Sequence, residues 1–413
     1  MLIGLLVIRL PEMYLPIVKF RPSIVAGTII GALLLSRVGA GAWRGVFREP
    51  VVRWTSLYLF AIVAAVPFAL WPGGAVQILY LLPFLGLLVV TMMLSPPTRQ
   101  TLDRIIAWTV VLGGIYAAYV AVAGSIVMDS VGGARLGGTG TYDPNDIAAV
   151  MVVVLQLALG MALRERGRWR WAGVGCALIA TTVVLRTGSR GGTVALAVST
   201  LVLLLAQKPG RFFMLATAVA LAAPLAWTFG PESFRVRTLS LFALQNDYTF
   251  QADAGRWQIW KRGLGYFAQR PIIGVGPNNY GIREGQFYAG VGRSGAWLTT
   301  HNTYIQVLVE VGIFGGIALC GLIWVAVRGS VPLWRRPPPS APDRLYRPEV
   351  FAAIAAFLTS AFFLSHAYTA LLLFVLTLGA YAGRVGQVES ASVSLRARRA
   401  AVAHATSRTG NVT

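Results

Sequence analysis

Apolar residues run along this chain in long blocks rather than in narrow stripes. About twelve such blocks lie near 2–10, 23–38, 55–71, 76–94, 103–125, 146–163, 171–186, 191–206, 211–229, 303–327, 350–365 and 367–384. A helix rises about 1.5 Å per residue, so roughly 20 apolar residues cross the ~30 Å hydrocarbon layer of a bilayer. The pattern predicts an all-α polytopic membrane protein of about twelve transmembrane helices. The first block is short for a span. Arg9, Pro11 and Glu12 follow it, where a signal peptide would carry a small-residue cleavage pattern. Residues 1–385 read as one transmembrane domain with a single large polar excursion, the loop 230–302. The Pro-rich segment from Arg335 to Pro348 reads as an extended linker, because consecutive prolines cannot form helix. The tail 386–413, rich in Ser, Ala and Arg, reads as a basic, disordered cytoplasmic segment resting on anionic lipid.

Composition agrees with the pattern, since 56% of the 413 residues are hydrophobic and 12% charged. The net charge of +21 would by itself point to nucleic acid, but its placement supplies another cause. With alternating spans, 22 of the 36 Lys and Arg lie in or beside the connections on one side, at 39–54, 95–102, 164–170, 207–211, 328–349 and the tail. The short connections opposite hold six, and the long loop eight. The positive-inside rule then makes both termini cytoplasmic, turns loop 230–302 outward and leaves no call for a nucleic-acid partner. Cys176 and Cys320 both fall in apolar blocks and read as small core residues, with no disulfide framework.

Chemistry is therefore sought in the polar outer segments. In RTGSRGG, Arg186 and Arg190 stand at the outer junction of two apolar spans. A guanidinium near hydrocarbon costs about 2.5–3.5 kcal/mol, so it pairs, lines a site or snorkels to the interface. The glycines there leave backbone amides open. Gly188 adjoins Ser189 where a nucleophile elbow needs an intervening residue, which argues against a serine hydrolase. In GRWQIWKRGLGYFAQRPIIGVG, Trp257, Trp260, Leu264 and Phe267 share one helical face, while Arg256, Lys261 and Arg262 lie off it. That is an interfacial amphipathic helix, expected to stop near Pro271. It serves either as a structural element on the membrane surface or as the holder of Arg256 toward an anion. GVGPNN lacks the preceding strand and third glycine of a dinucleotide fingerprint.

In HNTYIQVLVEVG, Asn302, Gln306 and Glu310 recur every four residues as a polar stripe on an apolar helix. Glu310 lies about 12 Å along the axis from Asn302, deep enough to demand a polar partner in the bundle interior. His301 stands just before this helix, where a lone histidine is more often inert than catalytic. In TYDPNDIA, Asn145 or Asp146 is a suitable helix cap after Pro144.

Taken in order, LGGTGTYDPNDIA, LRTGSRGG, GRWQIWKRGLGYFAQRPIIGVGPNNYG and HNTYIQVLVEVGIFGG resemble the O-antigen ligase and O-antigen polymerase superfamily of bacterial membrane glycosyltransferases, over about residues 136–318. The resemblance implies a membrane-embedded glycosyltransferase fold in the bacterial inner membrane, with its active site facing the periplasm. It implies a donor glycan on undecaprenyl diphosphate and an acceptor hydroxyl on lipid A core, or on another glycan in a polymerase. The reaction it implies is inverting and uses neither metal nor cofactor. Carried onto this sequence, it gives Arg190 and Arg256 the diphosphate and His301 the acceptor. Arg186, Asn145 and Arg262 take supporting places, with Asn302 or Glu310 orienting His301. Glu12 is the only acidic residue in the first outer loop, residues 11–22, and the histidines stand apart at 301, 366 and 404, which agrees with the absence of an essential metal. Protein oligosaccharyl transfer and secondary transport rank lower. Those transferases often carry an additional C-terminal region. Transporters commonly show related halves, and the unusual polar residues here cluster at one face.

Overall fold

The computed structural model describes residues 3–8, 22–37, 39–129, 133–138, 142–242, 252–293, 297–334 and 347–409. Most of the first outer loop, including Glu12, together with the linker residues 335–346, lies outside them. After a short π-helical turn at Ile3–Val7 come α1 (Pro22–Arg37), α2 (Ala40–Arg48), α3 (Pro50–Ala65), α4 (Pro72–Leu79), α5 (Leu82–Leu94) and α6 (Arg99–Ala123). A hairpin of β1 (Ile126–Asp129) and β2 (Gly133–Leu136) follows. The chain continues through α7 (Pro144–Arg164), α8 (Arg168–Thr187), α9 (Arg190–Leu205), α10 (Pro209–Phe229) and α11 (Glu232–Leu239). It ends with α12 (Arg256–Gln269), α13 (Tyr280–Gly290), α14 (Thr303–Trp334), α15 (Pro348–Ala361) and α16 (Ala370–Thr409).

The helices fall where the apolar blocks predict them, and the molecule is a helical, multi-pass membrane protein by length and composition. Seven described helical segments are long and apolar enough to cross a bilayer, against the twelve spans expected. The difference has physical causes. At 16 and 14 residues, α9 and α15 reach only about 24 and 21 Å. In α8, Arg168, Arg170 and Arg186 occupy the helix ends.

Two features depart from the predicted secondary structure. The hairpin, antiparallel with Ile126 opposite Leu136, is an exception to an all-α chain. Its four-residue strands are too short to display an alternating pattern. The tail, read as disordered, continues as helix to Thr409, and its alanines and arginines are strong helix formers.

Helix α7 is the centre of the bundle. Residues 147–155 are buried all round, as an apolar helix without a polar face requires. Helices α6, α8, α9 and α15 pack around it. Gln156 ties α7 to α9 by donating to Ser199 Oγ at 2.9 Å and Thr200 Oγ1 at 3.3 Å. On the other side of α15, helix α14 packs against α3 and α16. Helix α10 is the opposite case: Leu215 is its one buried residue, so its apolar surface is left for lipid.

Helix α14 is broken. Gly312 has φ 76° and ψ −167°, a conformation open in practice to glycine alone. The segment from Pro271 to Gly276 docks into the break. The amides of Val275 and Gly276 donate to the carbonyls of Val309 (2.8 Å) and Glu310 (3.0 Å), and the Ile313 amide donates to the Pro271 carbonyl (2.8 Å). The glycines of GVGPNN thus make a tight turn that seats against a membrane helix. Glu310 closes this latch: its carboxylate accepts from the amides of Asn278 (3.1 Å) and Tyr280 (2.8 Å), from Tyr368 Oη (2.7 Å) and from Gln306 Nε2 (3.2 Å). The polar partners expected for Glu310 are present, and all belong to the latch. It does not orient His301.

Candidate active site

Three junctions of the chain meet at one end of the bundle: the start of α7, the turn between α8 and α9, and the approach to α14. Asp143 caps α7, accepting from the amides of Asn145 (2.7 Å) and Asp146 (2.9 Å), and Asp146 completes the box by accepting from the Asp143 amide (3.4 Å). The cap is therefore Asp143, not Asn145 or Asp146. Asn145 is released to join three elements, since its Oδ1 accepts from Arg135 Nη2 of β2 (3.0 Å) and from Ser189 Oγ (2.9 Å).

Gly188 ends α8 in the left-handed region at φ 56°, which lets the chain turn directly into α9, whose cap is Ser189. Gly191 and Gly192 serve a different purpose from the open amides expected of them. A Cβ at Gly191 would strike Phe363 at 2.9 Å, and one at Gly192 would strike Ala148 at 2.7 Å, so both glycines permit close helix packing. That packing carries Arg190 to the mouth of the site, where it donates to Ser240 Oγ at 3.3 Å. Arg237 of α11 clamps the same turn by donating to the Gly188 carbonyl (2.7 Å).

His301 takes φ 45°, a conformation costly for a residue with a Cβ and held here by its surroundings. Its amide donates to Ser365 Oγ (2.9 Å), and Ser365 in turn meets Thr300 Oγ1 (2.9 Å). Its Nε2 lies 3.1 Å from Thr299 Oγ1. Asn302 caps α14, accepting from the amides of Tyr304 and Ile305 at 3.0 Å. Thr303 Oγ1 donates to the Leu364 carbonyl (2.7 Å) and accepts from the His366 amide (3.0 Å). The His366 ring reaches Asp146 Oδ1 at 2.7 Å. A continuous polar chain thus fixes the His301 backbone to the start of α7.

Helix α12 ends at Gln269, just short of Pro271 as expected. Its buried face is Ile259, Gly263 and Tyr266, whereas Trp257 and Leu264 of the predicted face are about half exposed, an apolar edge suited to a membrane surface. Trp260 turns inward and donates to the Thr300 carbonyl at 2.9 Å. Arg256, at the first turn of α12, makes no hydrogen bond or salt bridge among the described residues.

Electrostatics show which groups share one field. Burial, and then the cations Arg190, Arg237 and Arg135, lower the pKa of Arg256 to about 10, against a smaller opposing effect of Asp143. Burial, followed by Arg256, lowers His301 to about 4, opposed by Asp143 and Asp146. His301 is thus a neutral imidazole at neutral pH beside the Arg256 guanidinium. Such an arrangement suits a multiply charged anion next to a group that must accept a proton.

Not every residue singled out from the sequence comes here. Arg262 is committed to the buried Glu284 (2.6 Å) and lies over the rings of Phe287 and Tyr288. Arg186 donates to the Ala121 carbonyl at 2.7 Å, fastening α8 to the end of α6. Arg135, Arg237, Ser365 and His366 stand near the site although no motif in the sequence marks them as site residues. His366 bonds a carboxylate 220 positions away, a pairing with no local signature. Arg237 sits in a short helix whose mixed sequence reads as ordinary loop surface.

Residues 174–320 match the family model for O-Antigen ligase, and this match supports membership of the O-antigen ligase superfamily. The matched stretch runs from within α8 to the middle of α14 and contains Arg190, Arg237, Arg256 and His301. Arg135, Asp143, Asp146 and His366 lie outside it. A search of curated proteins finds no match.

Proposed function

With membership of the O-antigen ligase superfamily as the premise, we propose that the chain moves a glycan from undecaprenyl diphosphate to an acceptor hydroxyl on lipid A core, at the outer face of the bacterial inner membrane. The observation that carries this reading is the gathering of Arg135, Arg190, Arg237 and Arg256 in one field with a neutral His301. When the acceptor oxygen attacks the anomeric carbon from the face opposite the diphosphate, the glycosidic C–O bond breaks and the diphosphate takes its electron pair. Preorganised guanidiniums stabilise that growing charge without giving up a proton. The acceptor hydroxyl loses its proton to the His301 imidazole, and the sugar is delivered with inversion. Arg190 and Arg256 are the proposed diphosphate ligands. Asn145 and Ser189 hold the turn that presents Arg190.

The test is a deletion strain examined for lipopolysaccharide laddering. Loss of all capped lipopolysaccharide, with glycan accumulating on its lipid carrier, is expected. Core bearing a single repeat unit would assign the chain to repeat-unit polymerisation instead. Because the leaving group is served by guanidiniums, transfer is also expected to need no metal. Purified protein should keep full activity after exhaustive chelation, and a loss restored by a divalent ion would refute this.

The His301 environment makes a pH prediction. A lowered pKa means the imidazole stays unprotonated, and able to act as base, until the pH falls close to 4. The acid limb of kcat/KM should therefore lie near pH 4 rather than near the ~6.5 of an unperturbed histidine. Donor binding neutralises the cationic surroundings, so the limb of kcat should lie higher than that of kcat/KM. Arg256→Gln should move the limb of kcat/KM upward, and an unmoved limb in that variant would remove Arg256 from the neighbourhood of the base.

A further inference from the structure

The far end of α7, about 30 Å from the site, holds a second concentration of charge. A cavity of about 420 Å³ opens there, lined by Arg99, Arg164, Arg166, Lys208, Arg211 and Arg347, with Glu349 in its wall. Part of this charge is balanced. Asp103 receives Arg99 (3.5 Å), Arg164 (3.7 Å) and Arg347 (2.8 Å), and Arg164 also pairs with Glu165 (3.1 Å) and the buried Glu349. Gly160 makes the last pair possible, because a Cβ there would run into the Glu349 side chain. Three carboxylates thus answer three arginines, and Arg166 and Arg211 bring further positive charge. Arg166 and Arg211 are exposed and make no hydrogen bond or salt bridge among the described residues. The first turns of α10 and α15, at Arg211 and Pro348, also reach the cavity and add the partial positive charge of two helix N-termini.

We propose that this cavity is a binding site for a phosphate group, filled by the headgroup of an anionic phospholipid at the membrane surface opposite the candidate active site. The depth argues for lipid as the source. A helix of 21 residues that starts at one surface ends about 30 Å away, at headgroup level on the other. Leu163 beside the cations supplies an apolar wall for the first carbons of an acyl chain. Helices α7, α9 and α15, which position Asp146, Arg190 and the segment before His366 at one end, are the same helices that bound the cavity or lead to it at the other. A bound headgroup would tie their ends together without touching the reacting groups.

The experiment is native mass spectrometry of the full chain released from nanodiscs of phosphatidylglycerol or of phosphatidylcholine, with thermal unfolding measured in parallel. The wild type is expected to retain phosphatidylglycerol and not phosphatidylcholine. The double variant R166Q/R211Q should unfold at the wild-type temperature without added lipid, since both side chains are exposed and unpaired, and should retain phosphatidylglycerol about thirtyfold less. If the double variant folds poorly, each single variant is read in the same way and should show about fivefold. Equal retention by variant and wild type, or equal retention of the two lipids, would overturn the proposal. Thermal protection by inorganic phosphate with none by phosphatidylglycerol would overturn the lipid as its source.

Discussion

Arg256→Ala is expected to lower glycan transfer by about a hundredfold to a thousandfold while leaving the protein folded and inserted. The loss corresponds to roughly 3–4 kcal/mol, the usual cost of removing one preorganised group aimed at charge that develops in the transition state. Folding should be spared because Arg256 makes no hydrogen bond or salt bridge among the described residues. Its positive charge stands instead against those of Arg190, Arg237 and Arg135. Relief of that repulsion leaves the unfolding temperature of the variant unchanged or slightly raised. Arg256→Lys restores the charge but not the planar fork, so it should recover part of the rate. His301→Asn is the matching change at the proposed base, because asparagine tolerates the positive φ that His301 adopts. It should cost about 10²- to 10⁴-fold. The measurement is turnover in a cell-free assay with a defined polyprenyl diphosphate glycan, alongside a melting curve. Wild-type turnover in Arg256→Ala or in His301→Asn would end the assignment.

Gly312→Val is expected to be the most destabilising single change outside the site. Its φ of 76° is hostile to a β-branched residue, and an added Cβ would collide with the Ile272 carbonyl. Strain of about 1–3 kcal/mol joins the weakening of the hydrogen bonds that seat Pro271 to Gly276 in the helix break, each contributing about 1 kcal/mol. The total reaches roughly 4 kcal/mol, at the upper end for one substitution. Two readings check it: a lower unfolding temperature in detergent, and faster proteolysis of the segment between α12 and α13. A variant that unfolds and is cleaved like the wild type would mean that α14 runs straight through.

Much of this could be read from the order of residues, and the limits of that reading have definite causes. Helix positions were legible because a bilayer imposes length and apolarity on every span. The end of α12 was legible because Pro271 has no amide to continue it. The break at Gly312 was not, since a glycine in VEVGIFGG looks like a tolerated residue in one apolar run. Only its partner segment, about 40 positions earlier, makes it a break. Arg190, Arg256 and His301 could be singled out because charge at the end of an apolar span is locally conspicuous. Arg135 and His366 could not. One comes from a hairpin too short to leave a pattern, and the other depends on Asp146, 220 positions earlier in the chain. Arg262 shows the converse: a cation beside two tryptophans looked available until Glu284 proved to hold it.

The latch at Gly312 also bears on how this chain can be recombined. The carbonyls of Val309 and Glu310 belong to a membrane helix, yet the amides that satisfy them come from the segment between α12 and α13. Loop and span therefore fit together as one object. A chimera that exchanges residues 230–302 with those of a relative, leaving α14 in place, would strand polar backbone in hydrocarbon unless the incoming loop carried its own matching turn. The interchangeable unit is larger: it begins before Pro271 and ends beyond Ile313.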